Sequence, residues 1–263
     1  MFDSHCHLDA EEYDADRVQV IARAREHGVT GIMVPGYLPE EWPGLRALCA
    51  LDPALCCAVG LHPWYVHRVE GPELALAGLA AVARQVGALA IGECGLDGPM
   101  ARRGGASLEL QERVLDVQLE VARAESMPVI LHCLGAHERM LGLLKRHGAL
   151  SGVMHSFSGG RELVAQYLKL GLSFSFAGIM TRDNARRPRE AMQAVPLGRL
   201  LVESDGPDQA AQDVAPGRSE PAHVALVLAA MARHRGESVE LLARATADNA
   251  RQLFDRKRAH FSG

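Results

Sequence analysis

Short apolar stretches alternate with longer amphipathic ones along the whole chain. Apolar positions recurring every three to four residues argue for helix, and short apolar runs bounded by turn residues argue for strand. Phe2–His5 reads as the first strand. Asp14–His27 carries Val18, Ile21, Ala22 and Ala24 at near-helical spacing and stops at Gly28, which reads as a helix. Further strands are predicted at Thr30–Val34, ended by Pro35-Gly36, then at Cys56–Leu61, Leu89–Gly92, Pro128–Leu131, Gly152–Met154, Leu172–Phe176 and Arg199–Val202. Helices are predicted at Glu40–Leu51, Pro72–Val86, Ser107–Glu125, Ala136–His147, Arg161–Leu170 and Arg189–Ala194, with two more near Pro221–Arg235 and Ser238–Phe254. Gly98–Ala106 reads as a polar loop and Thr181–Arg189 as an arginine-rich one. Strands recur at intervals of about 30 residues, the size of one βα unit. An α/β fold closed as a (β/α)₈ TIM barrel is the expectation, as one domain over residues 1–263 with the tail after about 255 peripheral. An open doubly wound sheet is the alternative. It would draw its site from a few adjacent strands, whereas the candidate residues here come from strands all along the chain.

Composition narrows the partners. The chain has 263 residues, 48% of them hydrophobic, and a net charge of −4. That is ample for one core, and it lacks the basic excess of a non-specific duplex binder. The longest apolar runs, Leu74–Ala83 and Val224–Ala232, are too short to span a bilayer. Asp3, His5 and His7 stand where the apolar part of a signal peptide would begin. A cytoplasmic protein is expected, without membrane contact or an obligate protein partner. The six cysteines contain no C-x-x-C pair, so a thiolate zinc knuckle is not expected. Cys6, Cys94 and Cys133 adjoin candidate ligands, but strand alternation turns them toward the outer helices.

The candidate chemistry lies at the C-terminal ends of the predicted strands. His5 and His7 sit on strand one, two residues apart and hence on one face, with Cys6 on the other. His62 ends strand three, Glu93 strand four, His132 strand five, His155 strand six, and Glu203 and Asp205 strand eight. In a barrel these ends converge on the face where active sites sit. His5, His7, His132, His155, Glu93 and Asp205 are enough ligands for two divalent ions, and one carboxylate can bridge such a pair. Imidazole and carboxylate ligands without thiolate suit Zn, Mn, Fe, Co or Ni, and Mg less well.

Asp3-Ser4-His5-Cys6-His7-Leu8-Asp9, Gly60-Leu61-His62-Pro63, Gly92-Glu93-Cys94-Gly95-Leu96-Asp97 and Pro128-Val129-Ile130-Leu131-His132 together resemble the TatD-type metal-dependent deoxyribonucleases of the amidohydrolase superfamily. His155-Ser156-Phe157-Ser158-Gly159 and Glu203-Ser204-Asp205-Gly206-Pro207 continue the resemblance, from Asp3 to about Phe254. It implies that His5, His7 and Asp205 hold one metal, that His132 and His155 hold the other, and that Glu93 bridges. The superfamily's alternative bridge is a carbamylated lysine. The only lysines here, Lys145, Lys169 and Lys257, fall in predicted helices or the tail. Around the implied metal shell the pattern departs. Leu134 stands where many members have a basic residue, Gly98 where many have an aromatic, and Asp208 where many have Tyr. Arg218-Ser219-Glu220-Pro221 replaces the usual Arg-Asn-x-Pro.

The resemblance implies a two-metal phosphodiesterase that shortens DNA from an end, single-stranded DNA or DNA ends being the expected partner. Two divalent ions, Zn, Mn or Mg, would acidify a water. Asp205 would orient that water and take its proton, His62 would contact the phosphate or assist the leaving oxygen, and Glu203 would support from behind. Arg182, Arg186, Arg187 and Arg218 are the candidate substrate contacts, because arginine binds phosphate oxygens bidentately. The altered residues keep a second reading open, in which the same binuclear site hydrolyses another ester or an amide, for example an aminoacyl ester. A third is a metal-bearing binding protein without catalysis.

Overall fold

A computed structural model of the chain describes residues 1–254. The expected peripheral tail after about 255 lies outside the described residues. Eight strands form one parallel sheet in sequence order: β1 (Phe2–Asp3), β2 (Gly31–Gly36), β3 (Leu55–Val59), β4 (Ala90–Asp97), β5 (Val129–Leu134), β6 (Gly152–Met154), β7 (Leu172–Phe176) and β8 (Leu200–Val202). The ends of the sheet meet. Ser4 N–H donates to the Val202 carbonyl at 3.0 Å, Asp205 N–H donates to the His5 carbonyl at 2.9 Å, and Cys6 forms a parallel bridge with Gly206. Residues 4–6 and 203–206 thus complete the barrel beyond the short strands β1 and β8.

Helices follow the strands as α1 (Arg17–Glu26), α2 (Trp42–Cys49), α3 (Pro72–Ala75), α4 (Leu79–Val86), α5 (Gly98–Arg102), α6 (Leu108–Ala124), α7 (His137–His147), α8 (Arg161–Lys169), α9 (Arg186–Ala194), α10 (Val224–Arg235) and α11 (Val239–Phe254). The helix expected over Pro72–Val86 is two helices joined by the 3₁₀ turn Leu76–Gly78, with the flexible Gly78 at the joint. The loop expected over Gly98–Ala106 begins with α5, because the Asp97 carboxylate caps its first turn through Met100 N–H at 2.6 Å. The arginine loop is shorter than expected, since Arg186, Arg187 and Arg189 already lie on α9. Pro35-Gly36 does not end β2, which continues through both residues.

Strand alternation divides the core in two. Ile32, Val34, Cys57, Val59, Ile91 and Leu131 belong to the large cluster between strands and helices. Their neighbours Met33, Ala58, Ala90, Ile130 and Val153 form a second cluster with Phe2 and Leu201, inside the barrel. Ala247, Ala250, Leu253 and Phe254 of α11 join this inner cluster, and the Phe2 and Phe254 rings lie 6.1 Å apart. α11 therefore closes the bottom of the barrel. Full burial of side chains such as Leu253 or Phe254 contributes about 1.5–3 kcal/mol each. The top remains for chemistry. There Gly60 and Gly92 let neighbouring strands approach closely, since a Cβ on Gly60 would sit 2.6 Å from Gly92 Cα.

Candidate metal centre

Glu93 is aimed by an irregularity in β4. The pairing of β4 with β5 shifts register between Ile91 and Cys94. Ile91, Cys94 and Leu96 all face the outer cluster, so the extra residue of this bulge falls at Gly92-Glu93 and turns the carboxylate inward. The strand-end histidines all converge on one oxygen or the other. Glu93 Oε2 lies 3.1 Å from His5 Nε2 and 3.4 Å from His7 Nε2. Glu93 Oε1 lies 2.8 Å from His155 Nε2, 3.0 Å from His132 Nδ1 and 3.1 Å from His62 Nε2. The carboxylate thus divides its oxygens between two sets of imidazoles. Asp205 Oδ1 is 3.6 Å from His5 Nε2, on the first side. Its backbone is left-handed, with φ 48°, a conformation that residues other than glycine adopt at a cost and that recurs at functional sites.

Several of these atoms are buried without a hydrogen-bond partner among the described residues: His5 Nδ1, His7 Nδ1, His155 Nδ1 and Glu93 Oε2. Buried polar atoms are normally paired, and unpaired ones call for an explanation. Three groups of ligand atoms each lie mutually within 4.8 Å: His5, His7 and Glu93; His62, Glu93 and His132; and His5, His155 and Glu203. Nitrogen and oxygen donors at this spacing, with orphaned lone pairs, fit divalent cations. Burial pushes the Glu93 carboxyl up, but His155, His62 and His5 together hold it well below the usual range. Burial lowers His155, but Glu93 and Asp205 raise it well above its ordinary value. Positive charge gathered around Glu93 keeps it anionic, a demand that a bound cation would meet in place of the imidazolium protons.

Neighbouring residues fix the tautomers. His132 presents Nδ1 to Glu93, and its Nε2 lies 3.1 Å from Asp97 Oδ2. The same carboxylate oxygen accepts the Trp64 indole N–H at 2.7 Å. Burial works against the charge on Asp97, but His132, Trp64 and Met100 N–H together hold it down at about 2. Asp97 is therefore anionic and keeps the His132 proton on Nε2, leaving Nδ1 free to ligate. His62 Nδ1 accepts from Trp64 N–H at 3.1 Å, which leaves the proton on Nε2, facing Glu93. Burial lowers His62 to about 4, so the ring is neutral near pH 7.

Glu203 lies behind the ligand candidates, where the sequence reading put it. It is fully buried and does not line the cavity. Oε1 accepts from Ser156 N–H at 2.6 Å, and Oε2 accepts from the Ser175 hydroxyl at 2.5 Å and the Ser4 hydroxyl at 3.4 Å. Its Oε1 also lies 3.4 Å from His155 Nδ1, an ion-pair distance without hydrogen-bond geometry. With Oε1 engaged from the end of β6 and Oε2 from β7 and the end of β1, it sits beside His155 and outside the cavity. Cys6, Cys94 and Cys133 are buried in the outer cluster, away from the ligands.

The centre opens into a cavity of about 950 Å³. Of the four candidate arginines only Arg182 lines it. Arg186 pairs with Glu190 one turn along an exposed face of α9. Arg187 lies on the same helix outside the cavity wall. Arg218 is taken by Asp16 at 2.6 Å and stacks over Tyr13, tying the segment after β8 to α1. Residues that the sequence did not single out complete the walls. Tyr37, Trp64 and Tyr65 form an aromatic side, and Asp9, Glu11, Glu12, Asp14 and Glu41 an acidic one. On α6, Gln111 bonds the backbone of Asp97 and Gln118 that of Leu61, fixing the ends of β4 and β3.

Known proteins resemble the chain over nearly its whole length. A 3'-5' ssDNA/RNA exonuclease TatD from Pantoea ananatis is 36% identical over 262 residues, covering 97% of this chain and 99% of the relative. The uncharacterized metal-dependent hydrolase YabD of Bacillus subtilis is 32% identical over 257 residues, covering 97% and 98%. The crystal structure of YJJV, a TatD homolog from Escherichia coli K12, superposes with a TM-score of 0.88 at 31% identity, covering 97% and 98%. The family of TatD related DNases matches residues 2–255, every strand that brings a residue to Glu93 included. With these relatives alike along their whole lengths, the chain belongs to the TatD-related DNase family of metal-dependent hydrolases.

Proposed function

We propose that this chain uses two divalent cations to hydrolyse phosphodiester bonds at an end of single-stranded nucleic acid. The observation that carries the reading is the division of Glu93, with Oε2 toward His5 and His7 and Oε1 toward His132 and His155. His5, His7 and Asp205 would hold one cation and His132 and His155 the other, with Glu93 between them. When bound, such a pair supplies positive charge to the phosphate and a more acidic water as nucleophile. The remaining steps fall to the chain. Asp205, held by its backbone bond to His5, orients the water and accepts its proton. His62, neutral with its proton on Nε2, either supports Glu93 or turns that N–H to a phosphate oxygen. Asp97 and Glu203 keep the rings of His132 and His155 in place. The relatives named as ssDNA/RNA exonucleases support the same substrate class.

A second reading rests on the acidic wall. Asp9, Glu12, Glu41 and Asp208 line the cavity and would attract an ammonium group, as on an aminoacyl ester. Burial and then Asp9 push Glu41 up to about 7, a sign of how crowded these carboxylates are. The deciding experiment incubates Mn²⁺- or Mg²⁺-loaded protein with an end-labelled single-stranded oligonucleotide and with a panel of aminoacyl esters, at equal enzyme concentration. Stepwise shortening of the oligonucleotide is expected. Turnover of the esters with no release of nucleotides would replace the first reading by the second.

A further inference from the structure

The metal cavity has a neighbour. A second cavity of about 270 Å³ lies behind Trp64 and Tyr65, which wall both cavities. His67, Arg68, Met100 and Arg103 complete much of it. Arg68 and Arg103 have no carboxylate partner among the described residues, in contrast to Arg23, Arg139 and Arg218 elsewhere on the surface. The Arg68 guanidinium lies 4.9 Å from the centre of the Tyr65 ring, which in turn stacks on Tyr37 at 5.0 Å. Trp64 is 38% exposed, yet Asp97 holds its indole N–H, so a part-exposed aromatic ring is kept in one orientation. That ring stands 6.3 Å from the His132 ring, at the edge of the metal centre. The lining of the main cavity includes the carboxylates Glu11, Glu12 and Glu41. The second cavity has no carboxylate in its lining and offers a polyanion two guanidinium groups without carboxylate partners among the described residues.

We propose that the Trp64–Arg103 cavity is the subsite for the nucleotide next to the scissile phosphate. Its base stacks on Trp64, and Arg68 and Arg103 hold the following phosphates. Aromatic stacking combined with arginine contacts is how single strands are bound without reading their sequence. The subsite rests on the phosphodiesterase reading above and gives it a direction, since the uncut strand runs toward α5.

The test compares Mn²⁺-loaded wild type with the R68A/R103A double variant and with Trp64→Ala. The substrates are an eight-nucleotide single strand and bis(p-nitrophenyl) phosphate, each assayed across a salt series. Shortening of the oligonucleotide by wild type upholds the underlying reading. A wild type that turns over bis(p-nitrophenyl) phosphate and leaves every oligonucleotide intact sinks reading and subsite together. For R68A/R103A the ratio of kcat/KM on the oligonucleotide to that on bis(p-nitrophenyl) phosphate is expected to fall by about ten-fold or more, through KM. The slope of log binding constant against log salt should weaken by about 1.4, or about 0.7 for each phosphate that an arginine no longer holds. Trp64→Ala should weaken oligonucleotide binding by roughly 5- to 150-fold, the worth of one stacked base. A double variant with the wild-type ratio and salt slope, on a wild type that digests the strand, would overturn the subsite alone. A general structural defect lowers both activities together, leaves the ratio unchanged and counts as the same refutation.

Discussion

Asp97→Asn removes one charge and almost no volume, and the geometry sets its cost. Asp97 Oδ1 accepts Met100 N–H at 2.6 Å, while Oδ2 faces two donors, Trp64 Nε1 at 2.7 Å and His132 Nε2 at 3.1 Å. An asparagine has one oxygen for these two duties. If that oxygen keeps the helix cap, where Asn serves as well as Asp, its amide N–H₂ is turned on two donors. If it turns the other way, the cap is lost and the amide faces Met100 N–H. In the first arrangement His132 is no longer kept with its proton on Nε2, and the tautomer with bare Nδ1 loses its support. Loss of such a partner lowers metal affinity by about 10–100-fold, or about 1.4–2.7 kcal/mol. Titration of Zn²⁺ or Mn²⁺ against a competing chelating dye, with wild type and variant side by side, reads this directly. Near-ultraviolet circular dichroism establishes that the barrel is retained. Wild-type affinity for both cations in a folded Asp97→Asn would refute the orienting role.

Glu93→Gln should keep the fold and lose activity by orders of magnitude, because an amide cannot offer two anionic oxygens; metal counting by mass spectrometry on the intact protein, alongside turnover, checks it. Cys6→Ser should bind metal as wild type does, and His5→Ala should lose one cation, since Cys6 faces the outer cluster while His5 faces Glu93; equal loss in both would mean the strand faces the other way. His137 supplies a pH-dependent contribution away from the metals. Burial, and then Arg187, lower it to about 4. The unfolded chain binds this proton near pH 6.5 and the folded chain only near 4, so on the order of 3 kcal/mol of stability is lost as pH falls through that window, with no change above it. Melting curves from pH 7 to 4 should therefore be less steep in pH for His137→Leu than for wild type, and parallel curves would exclude the assignment.

Which parts of this were legible follows from what each residue is held by. β6 and β7 were readable to the residue, β6 as the short apolar run Gly152-Val153-Met154 stopped by His155, and β7 because Leu172, Phe174 and Phe176 alternate with two serines at the period of a strand. The position of Glu93 was readable, but its orientation was not. A bulge is a pairing relation between two strands, and one strand's sequence does not carry it. Gln111 and Gln118 look like the solvated side of an amphipathic helix, and only the loop backbone they meet shows them to be buried. The arginine-rich stretch is divided by contacts its sequence does not carry, with Arg182 at the cavity and the others turned elsewhere. Its charge density was real, but Arg186 spends its charge on Glu190 and Arg189 caps the carbonyls of Met180 and Thr181. Arg68 and Arg103 stand apart in sequence and meet only in the fold.

Closure of the barrel by its two extremes also sets a timetable for synthesis. His5 and Asp205 are ligand candidates for the same cation, and the backbone bond between them belongs to the seam that completes the sheet. At roughly 5–20 residues per second, the ribosome releases the first of them about ten to forty seconds before the second. During that interval the His-Cys-His segment is exposed without the groups that will surround it, beside the thiol that the finished core buries. A ribosome stalled before β8 carries a chain with seven strands, an open edge and an incomplete set of ligand candidates. For this protein the last strand made is what joins the first one to its chemistry.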